Sequence, residues 1–534
     1  MTEEKQVSPT DSTADPAVNP VATDFDIVVV GGGVNGAGVA RDAAGRGLSV
    51  LLCEKDDLAA HTSSASTKLI HGGLRYLEYY DFKLVRHALI EREVLLRAAP
   101  HIIWPLRFIL PHHKELRPRW LIRAGLFLYD NLGGRKLLPS SCSVNLRSHE
   151  SGKALKPEFT TGFEYSDCWV QDSRLVVLNA MDAKARGCDV RTRTEVVDLV
   201  RQSGQWRVDL KNNITGGSES VTARAVVNAS GPWVDRTLHL DESKQAKHSV
   251  RLVKGSHIVV PKLFSHPYTY IFQNADNRII FAVPYENEYT LLGTTDMELK
   301  GDPQHISISD EEVDYICNAA SEYFDVPIRS EQVVWSYSGV RPLYDDNADS
   351  ASKVTRDYKL HLDSSGAPVL SVYGGKITTF RKLSEEVVDM LEPALGLIGE
   401  QGKSGWTETA SLPGGDIPDA NFDAFLQKAE KQYPWADSRL IYDYARNYGT
   451  LLDELLQECT GESDLGQYFG GLLYQVEVDY LIRHEFAQTA EDIIWRRSKK
   501  GLQLNEEQVD HLQSYLETAV ADVLAKAGGL ERAG

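Results

Sequence analysis

With 534 residues, the chain is long enough for about three domains with separate cores, and its 42% hydrophobic and 25% charged residues exclude wholesale disorder. The formal net charge of −19 argues against nucleic acid as a partner, because a phosphate backbone would be repelled. The six cysteines are scattered without a CxxC pair, which favours a reducing compartment and argues against a dithiol electron relay.

The N-terminal residues 1–23 are predicted to be a disordered tail. They are rich in Ser, Thr, Pro, Asp and Glu, and they lack the apolar core of a signal peptide. No run along the chain approaches the roughly 20 apolar residues of a membrane-spanning helix. We therefore expect any contact with a membrane to be at its surface.

A nucleotide-binding βαβ unit is predicted at residues 26–54. An apolar run predicts a buried parallel strand, helical spacing follows it, and a second strand ends at Glu54. In the GxGxxG motif between strand and helix, Gly31 turns tightly, Gly33 lets backbone N–H groups approach a pyrophosphate, and Gly36 lets helix and strand pack closely. Glu54 is expected to accept a hydrogen bond from a ribose 2′-hydroxyl. The unit predicts a nucleotide without deciding between NAD and FAD.

Three later segments favour FAD. Residues 61–78 are dense in hydroxyls and then glycine, which suits the ribityl chain and pyrophosphate of a flavin. A strand at 225–231 ends in small residues, and a strand at 369–373 leads into GGKITT, whose backbone donors are expected to face the flavin pyrimidine. The predicted cofactor-binding residues are Gly31, Gly33, Asn35, Gly36, Glu54, Ser63, Ser64, Ser66, Lys68, His71, Gly72, Gly73, Ala229, Gly231, Gly375, Lys376 and Thr378.

No metal site is predicted. Residues 345–349 have the acidic spacing of an EF-hand loop, but Ser350 and Arg356 stand where that loop requires Gly and Glu. His112 and His113 have no further ligands at metal spacing.

A basic segment at residues 104–136 stands out in this acidic chain. It contains seven Lys and Arg against two acids, interleaved with aromatic and aliphatic residues. This mixture is typical of a segment at an anionic lipid surface. The alternative is that the aromatic side chains pack inside the protein and only the bases meet water.

Six ordered segments together resemble the FAD-dependent glycerol-3-phosphate dehydrogenases. They are GGGVNGAG (31–38), SSASTKLIHGGLRYLE (63–78), KGSHIVVP (254–261), GTTD (293–296), SGVRPL (338–343) and GGKITTFRKL (374–383). The resemblance implies an α/β fold with a glutathione-reductase-like FAD-binding Rossmann domain, an antiparallel β substrate domain and an α-helical C-terminal domain. It also implies FAD as cofactor and delivery of electrons to a membrane quinone.

The domain boundaries follow from these segments and from the change to helical spacing after residue 402. We expect the FAD-binding domain in three parts, at 24–100, 151–249 and 350–402. A substrate- or membrane-facing segment is expected at 101–150, the substrate-binding domain at 250–349, and the helical domain at 403–534. In the last domain, Asn505 and Gln508 resemble a capping pair before an apolar helical face, and we assign no catalysis to it.

The substrate of the resembling family is a phosphate dianion, which needs several cations in one place. Arg75, Arg341 and Arg356 are the candidates, because the planar guanidinium binds phosphate oxygens in pairs. For any single arginine a structural ion pair is the alternative, and the resemblance places these positions in the substrate pocket. Tyr76 and Thr295 are expected to orient the substrate.

Three residues are predicted to be catalytic. His257, on a predicted strand, is expected to take the proton of the C2 hydroxyl, with Arg341 or a water as the alternative base. Lys376 is expected to place positive charge near the flavin pyrimidine and to stabilise the anionic reduced form.

The expected function is oxidation of sn-glycerol 3-phosphate to dihydroxyacetone phosphate by hydride transfer to FAD, with a quinone as final acceptor. We expect a cytoplasmic enzyme, peripheral on the cytoplasmic face of the inner membrane, and by analogy alone a homodimer. The alternatives are an amine or amino-acid oxidase of the same fold, a glycerol-3-phosphate oxidase using oxygen, an NAD-binding dehydrogenase and a non-catalytic FAD scaffold.

Overall fold

The computed structural model describes residues 24–241, 250–274, 276, 278–344, 357–397 and 404–531. The predicted tail at 1–23, the acidic segment at 345–349 and the substrate candidate Arg356 lie outside the described residues.

Strands and helices alternate through the first part of the chain, and helices dominate the last. The strands are β1 (Phe25–Val30), β2 (Val50–Cys53), β3 (Leu69–Ile70), β4 (Ile103–Pro111), β5 (Cys142–Asn145), β6 (Thr161–Val170), β7 (Asp189–Arg191), β8 (Thr194–Gln202), β9 (Gln205–Asn212), β10 (Ser218–Asn228), β11 (Val250–Pro261), β12 (Thr269–Gln273), β13 (Ile279–Tyr285), β14 (Tyr289–Gly293), β15 (Met297–Glu298), β16 (Trp335–Tyr344), β17 (Lys359–Asp363), β18 (Val369–Tyr373), β19 (Tyr468–Gly470) and β20 (Leu473–Tyr474). The helices are α1 (Val34–Gly45), α2 (Phe82–Ala98), α3 (Arg119–Leu132), α4 (Asp172–Ala185), α5 (Val234–Leu238), α6 (Asp310–Ser321), α7 (Phe380–Ala394), α8 (Phe422–Gln432), α9 (Ser438–Tyr448), α10 (Leu452–Leu455), α11 (Gln475–Glu485) and α12 (Glu506–Glu531).

The first sheet is built around the predicted nucleotide-binding unit. Its order is β17-β18-β10-β1-β2-β7, with parallel pairing from β18 to β7 and with β9 and β8 added beyond β10. Helices α1, α4 and α7 cover one face, and the β8–β9 hairpin packs on the other. Burial on both faces explains why β1 reads as a continuous apolar run.

The second sheet is antiparallel except for one parallel pair. Its order is β15-β11-β14-β13-β12-β4-β6-β3, with β16 on β11, β5 on β6, and β12 parallel to β4. Helix α6 packs on one face and α2 with α3 on the other.

The pairing corrects two expected boundaries. Strand β6 lies in the segment assigned to the FAD-binding domain, yet it pairs with β4 along its length in the second sheet. Strand β3, from the first expected part of that domain, pairs with β6. Both strands are largely buried, and burial of this kind is equally compatible with either sheet, so only the pairing distinguishes them.

The C-terminal region is a helical bundle with the small β19–β20 hairpin. The Gln508 backbone N–H donates to Asn505 Oδ1 at 2.9 Å, and Gln508 Oε1 accepts from the Asn505 N–H at 3.0 Å, so the predicted capping pair is confirmed. Leu512 and Leu516 of α12 are buried in the core of this bundle. Among the described helices, none combines the length and the apolar character needed to cross a bilayer.

Candidate active site

A cavity of about 1990 Å³ lies between the two sheets. The turns that follow β1, β10 and β18 line it from the first sheet, and residues of β13 and β16 line it from the second. It therefore opens at the carboxyl ends of parallel strands, where nucleotides bind in folds of this type.

The glycine motif after β1 forms the nucleotide end of this cavity. Gly31 has φ +109°, and a Cβ there would lie 2.7 Å from the Ala229 carbonyl oxygen. A Cβ on Gly36 would lie 1.9 Å from the Gly31 oxygen, so Gly36 acts in packing and does not itself line the cavity. Ser63 Oγ accepts a hydrogen bond from the Val34 N–H at 3.0 Å, at the N-terminus of α1 where a pyrophosphate is favoured.

Glu54 directly follows β2 and lines the same part of the cavity. Its Oε2 accepts from the Gly32 N–H at 2.6 Å and its Oε1 from the Asp56 N–H at 2.9 Å. Burial raises the pKa of Glu54, and these two backbone donors act against that rise. Each carboxylate oxygen has a second lone pair, so the predicted contact with a ribose hydroxyl fits this geometry.

The hydroxyl-rich segment is held by Asp172, at the start of α4. Ser66 Oγ donates to Asp172 Oδ2 at 2.8 Å, and Lys68 Nζ donates to both carboxylate oxygens at 2.9 Å. Lys68 is buried and does not line the cavity, which contradicts its predicted contact with the cofactor. Ser64 is also off the cavity wall, because its hydroxyl donates to the His61 carbonyl at 3.1 Å.

Of the two glycines at positions 72 and 73, one lines the cavity and the other allows close packing of a helix. Gly73 lines the cavity with φ +74°, whereas a Cβ on Gly72 would lie 2.4 Å from Leu89, so Gly72 serves the approach of α2. His71 lines the cavity, and its backbone N–H donates to Thr378 Oγ1 at 3.3 Å. This contact joins the second predicted flavin segment to the third.

The third glycine pair and its surroundings fit a bound flavin nucleotide. Gly375 lines the cavity with φ +106°, and a Cβ there would lie 2.8 Å from the Asn35 amide nitrogen. Asn35 Oδ1 and Trp233 Nε1, both on residues that line the cavity, are buried without a hydrogen-bond partner among the described residues. Glycine turns that exclude side chains, together with polar atoms awaiting partners, are features that a dinucleotide would satisfy. Ala229 and Gly231 also line this region.

Three predicted cations meet in the cavity. Arg341 donates to Asp296 and, at 3.1 Å, to Thr294 Oγ1. Arg75 donates to the Tyr79 hydroxyl at 3.3 Å. The third cation is Lys376. Its Nζ lies 4.0 Å from the centre of the Tyr76 ring, in a cation–π contact. Arg75, Tyr76, Arg341 and Lys376 all line the cavity.

Among the described residues predicted for catalysis or substrate binding, two do not reach the cavity surface. Thr295 is buried, and its hydroxyl donates to Glu312 Oε1 at 2.7 Å and accepts from the Ser256 N–H, so it supports the second sheet. His257 is 1% exposed and lies behind Thr67, whose hydroxyl is 3.0 Å from His257 Nε2. Burial, with Arg341 and Lys68 nearby, holds the pKa of His257 well below its ordinary value, so the imidazole is neutral.

Sequence reasoning missed three residues that the fold brings to the site. Thr67 and Trp233 line the cavity, and the Trp233 ring lies 4.6 Å from that of His61, measured between centres. Asp172 anchors the hydroxyl segment from about 100 residues away. Thr67 stands inside the segment already singled out, whereas no local pattern marks the other two.

Comparison with known proteins agrees with this site. Residues 26–381 match the family described as FAD dependent oxidoreductase, and residues 406–532 match the C-terminal domain of alpha-glycerophosphate oxidase. The glycerol-3-phosphate dehydrogenase of Pseudomonas aeruginosa is 50% identical over 501 residues, covering 93% of this chain and 96% of that protein. The D-erythritol 1-phosphate dehydrogenase of Brucella abortus is 50% identical over 482 residues, covering 90% and 95%. The aerobic glycerol-3-phosphate dehydrogenase of Escherichia coli is 47% identical over 493 residues, covering 92% and 97%.

A solved structure shares the architecture. The glycerol-3-phosphate dehydrogenase from Bacillus halodurans, determined in complex with FAD, superposes with a TM-score of 0.74 at 26% identity, covering 94% of this chain and 91% of that one. The predicted fold class is therefore confirmed.

The fold and the cavity define a flavin-dependent oxidoreductase, with FAD as its cofactor. The chain belongs to the FAD-dependent oxidoreductase family and, within it, to the group of the glycerol-3-phosphate dehydrogenases.

Proposed function

We propose that the protein oxidises sn-glycerol 3-phosphate to dihydroxyacetone phosphate, with bound FAD as the hydride acceptor. The observation that carries this proposal is the convergence of Arg75, Arg341 and Lys376 on the cavity that the glycine turns also line. A phosphate dianion requires such a concentration of positive charge. The names of the relatives from Pseudomonas aeruginosa and Escherichia coli support the same substrate.

The cations have different parts in this reaction. Arg341 is suited to the phosphate, because its planar guanidinium binds oxygens in pairs and its contact with Asp296 holds it at the cavity wall. Lys376, held over the Tyr76 ring beside the third glycine pair, supplies positive charge toward the reduced flavin. When bound, FAD accepts the hydride that leaves C2.

Anaerobic reduction of the purified holoprotein tests this function. Glycerol 3-phosphate is expected to bleach the flavin absorbance, and amino acids are not. Bleaching by an amino acid would favour the amine- or amino-acid-oxidase alternative, in which the same arginines hold a carboxylate. A protein that retains no FAD would refute the flavin assignment itself.

Arg341→Lys refines the test, because it keeps the charge and removes the planar fork. We expect KM for glycerol 3-phosphate to rise about 10- to 100-fold, the equivalent of one lost charge-assisted hydrogen bond. Arg439→Lys is the control, since the Arg439 side chain is 79% exposed and pairs only locally with Asp437. An unchanged KM in Arg341→Lys would place the phosphate elsewhere.

A four-carbon polyol phosphate is a second candidate substrate. The relative from Brucella abortus, named for D-erythritol 1-phosphate, is as similar as the first relative. Gln273 and Asn274 also line the cavity, and the side-chain amide of Asn274 is buried without a hydrogen-bond partner among the described residues, so it suits an additional hydroxyl. Comparing kcat/KM for the two polyol phosphates separates the candidates, and the larger value identifies the substrate.

We further propose that the enzyme lies on the cytoplasmic face of the inner membrane and reduces a quinone there. Trp120, Phe127 and Leu128 form an exposed apolar face on α3, with Trp120 71% and Phe127 65% exposed. Tyr79 ends the 3₁₀ turn Leu74–Tyr79, which contacts α3, and Tyr80 follows it; both are exposed. We call these five residues the α3 patch. Apolar groups exposed together favour contact with a membrane or a partner.

Within the basic segment 104–136, some apolar side chains are buried in the core and others are exposed, and this division supports the proposed location. Phe108, Leu126 and Tyr129 are buried in the second sheet's core, whereas the α3 patch is exposed. Arg119 is exposed beside the patch, as expected for a base near anionic headgroups. Because Tyr79 and Tyr80 also line the cavity, the patch joins the cavity mouth to the proposed lipid surface.

Vesicle co-sedimentation tests the membrane contact. Trp120→Ser with Phe127→Ser is expected to abolish binding to vesicles of anionic phospholipid, and Arg119→Glu to weaken it. Ile214→Ser is the control, because Ile214 is exposed to a similar degree at the β9–β10 turn. Equal sedimentation of patch and control variants would refute the membrane contact.

The electron acceptor is tested by reoxidation of the substrate-reduced enzyme. A short-chain quinone is expected to restore the flavin absorbance much faster than oxygen does. Faster reoxidation by oxygen, with formation of hydrogen peroxide, would instead favour the oxidase alternative.

A further inference from the structure

The ring of His257 occupies a fixed place between two strands. His257 on β11 lies opposite Gly293 of β14 and opposite Tyr337 of β16. The imidazole stacks on the Tyr337 ring, with centres 4.8 Å apart and planes at 16°. On the other side, a Cβ at Gly293 would lie 2.2 Å from His257 Cδ2, so only glycine accommodates the ring there.

Among the described residues, the imidazole of His257 makes its hydrogen-bonding contact with Thr67. His257 Nε2 lies 3.0 Å from Thr67 Oγ1, and Nδ1 has no hydrogen-bond partner among the described residues. Thr67 lines the cavity, whereas His257 does not. A neutral imidazole has one nitrogen that accepts a proton. With the ring in the tautomer that leaves Nε2 unprotonated, the hydroxyl of Thr67 stands between that nitrogen and the cavity.

Neighbouring contacts fix Thr67 on both sides. Ser66 Oγ and Lys68 Nζ both donate to the buried carboxylate of Asp172. The Tyr337 hydroxyl donates to the Ser66 carbonyl at 2.8 Å, so the ring that supports His257 is also tied to the segment that carries Thr67. This arrangement gives the buried Lys68–Asp172 pair a function in positioning, since its members do not line the cavity.

We propose that Thr67 is a catalytic residue that relays the substrate proton to His257. As the C2 hydroxyl gives its proton to Thr67 Oγ1, the proton of the Thr67 hydroxyl passes to His257 Nε2. The O–H bond of the substrate breaks and one forms at Thr67, while the original Thr67 O–H bond is replaced by an N–H bond. The electron pair left on the substrate oxygen forms the carbonyl as the hydride passes from C2 to the flavin. This inference rests on the proposed function.

Two substitutions at Thr67 separate the hydroxyl from the shape of the side chain. Thr67→Val keeps the volume and removes the hydroxyl, and it is expected to lower kcat/KM for glycerol 3-phosphate by about 100-fold or more, as for loss of general base catalysis. Thr67→Ser keeps the hydroxyl and is expected to retain most of the activity. FAD content and the affinity for dihydroxyacetone phosphate, followed by the flavin spectrum, should be unchanged in both.

A double variant tests whether the two residues act together. Thr67→Val combined with His257→Gln should be no slower than the slower single variant, because a relay is lost when either member is removed. Multiplied losses, or a Thr67→Val enzyme within about threefold of the wild type, would overturn the relay.

A measurement on the resting holoprotein does not depend on turnover. In protein with ¹⁵N-labelled histidine, the His257 ring signal is expected to move in Thr67→Val and to stay near the wild-type position in Thr67→Ser. An unmoved signal in Thr67→Val would refute the contact itself. If wild-type protein shows the contact but no polyol phosphate bleaches its flavin, the proposed function fails and the relay fails with it. If the wild type is bleached and Thr67→Val is equally fast, the relay alone fails.

Discussion

Replacing Asp57 by asparagine is expected to loosen the C-terminal domain. Asp57 follows β2 and is 3% exposed. Its carboxylate accepts hydrogen bonds from Arg496 Nε at 2.6 Å and from Arg497 Nη1 and Nη2 at 2.5 and 2.8 Å. Both arginines lie in the π-helical segment Asp492–Arg497 of the C-terminal domain, so these ion pairs cross between domains.

The expected loss of folding stability depends on the partners that the two arginines keep. Breaking a buried ion pair costs about 3–5 kcal/mol, because the remaining charge is left uncompensated. Arg496 keeps Asp492 at 2.6 Å, and Arg497 keeps the Glu485 carbonyl at 2.9 Å. We therefore expect Asp57→Asn to cost about 3 kcal/mol, at the lower end of that range.

Urea denaturation provides the assay. Trp335 of the second sheet and Trp495 of the C-terminal domain stack with centres 4.4 Å apart, so fluorescence and near-ultraviolet circular dichroism report their separation. The midpoint of the unfolding transition should shift to a lower urea concentration in Asp57→Asn. Asp437→Asn is the matched control, because its pair with Arg439 is exposed and its loss should leave the transition in place. Equal midpoints for Asp57→Asn and the wild type would refute the proposed interdomain role.

Two further predictions concern the nucleotide turn and the response to acid. Gly36→Ala should abolish FAD retention, because its Cβ would lie 1.9 Å from the Gly31 oxygen. Gly125→Ala is the control and should retain the cofactor, because a Cβ there would have no atom within 4 Å. The flavin absorbance that remains after gel filtration checks both variants. His101 is buried, and burial together with neighbouring guanidinium groups lowers its pKa to about 3. In the unfolded chain His101 has the ordinary pKa of about 6.5, so below that pH the unfolded chain is protonated there while the folded chain is not. Folding stability is therefore lost as pH falls from about 6.5 toward 3. His101→Leu should remove about 2 kcal/mol of the loss between pH 7 and 5, measured by urea denaturation at both values, and an equal pH dependence in the two proteins would contradict this reasoning.

The nucleotide-binding half of the site was predictable because local sequence specifies it. The turn at Gly31, the N-terminus of α1 and the acid Glu54 lie within 24 residues, and each depends on the backbone conformation of its immediate neighbours. The strand at 369–373 and the turn at Gly375 were predictable for the same reason.

The roles of individual polar side chains were less predictable. Lys68 stands in a segment suited to a flavin, yet it pairs with Asp172, and Thr295 supports Glu312. A side chain on a strand or a turn is directed by the register of pairing and by residues far along the chain. The sequence of one segment does not contain that information.

By itself, the sequence determined the βαβ entrance, the glycine turns and the class of cofactor, because consecutive residues set backbone conformation and strand burial. Only the tertiary structure decided that His257 lies behind Thr67 and that Trp120 faces outward while Phe108 is buried. These outcomes depend on which strands pair and which faces are covered. They are settled by packing between distant segments, after local structure has already been specified.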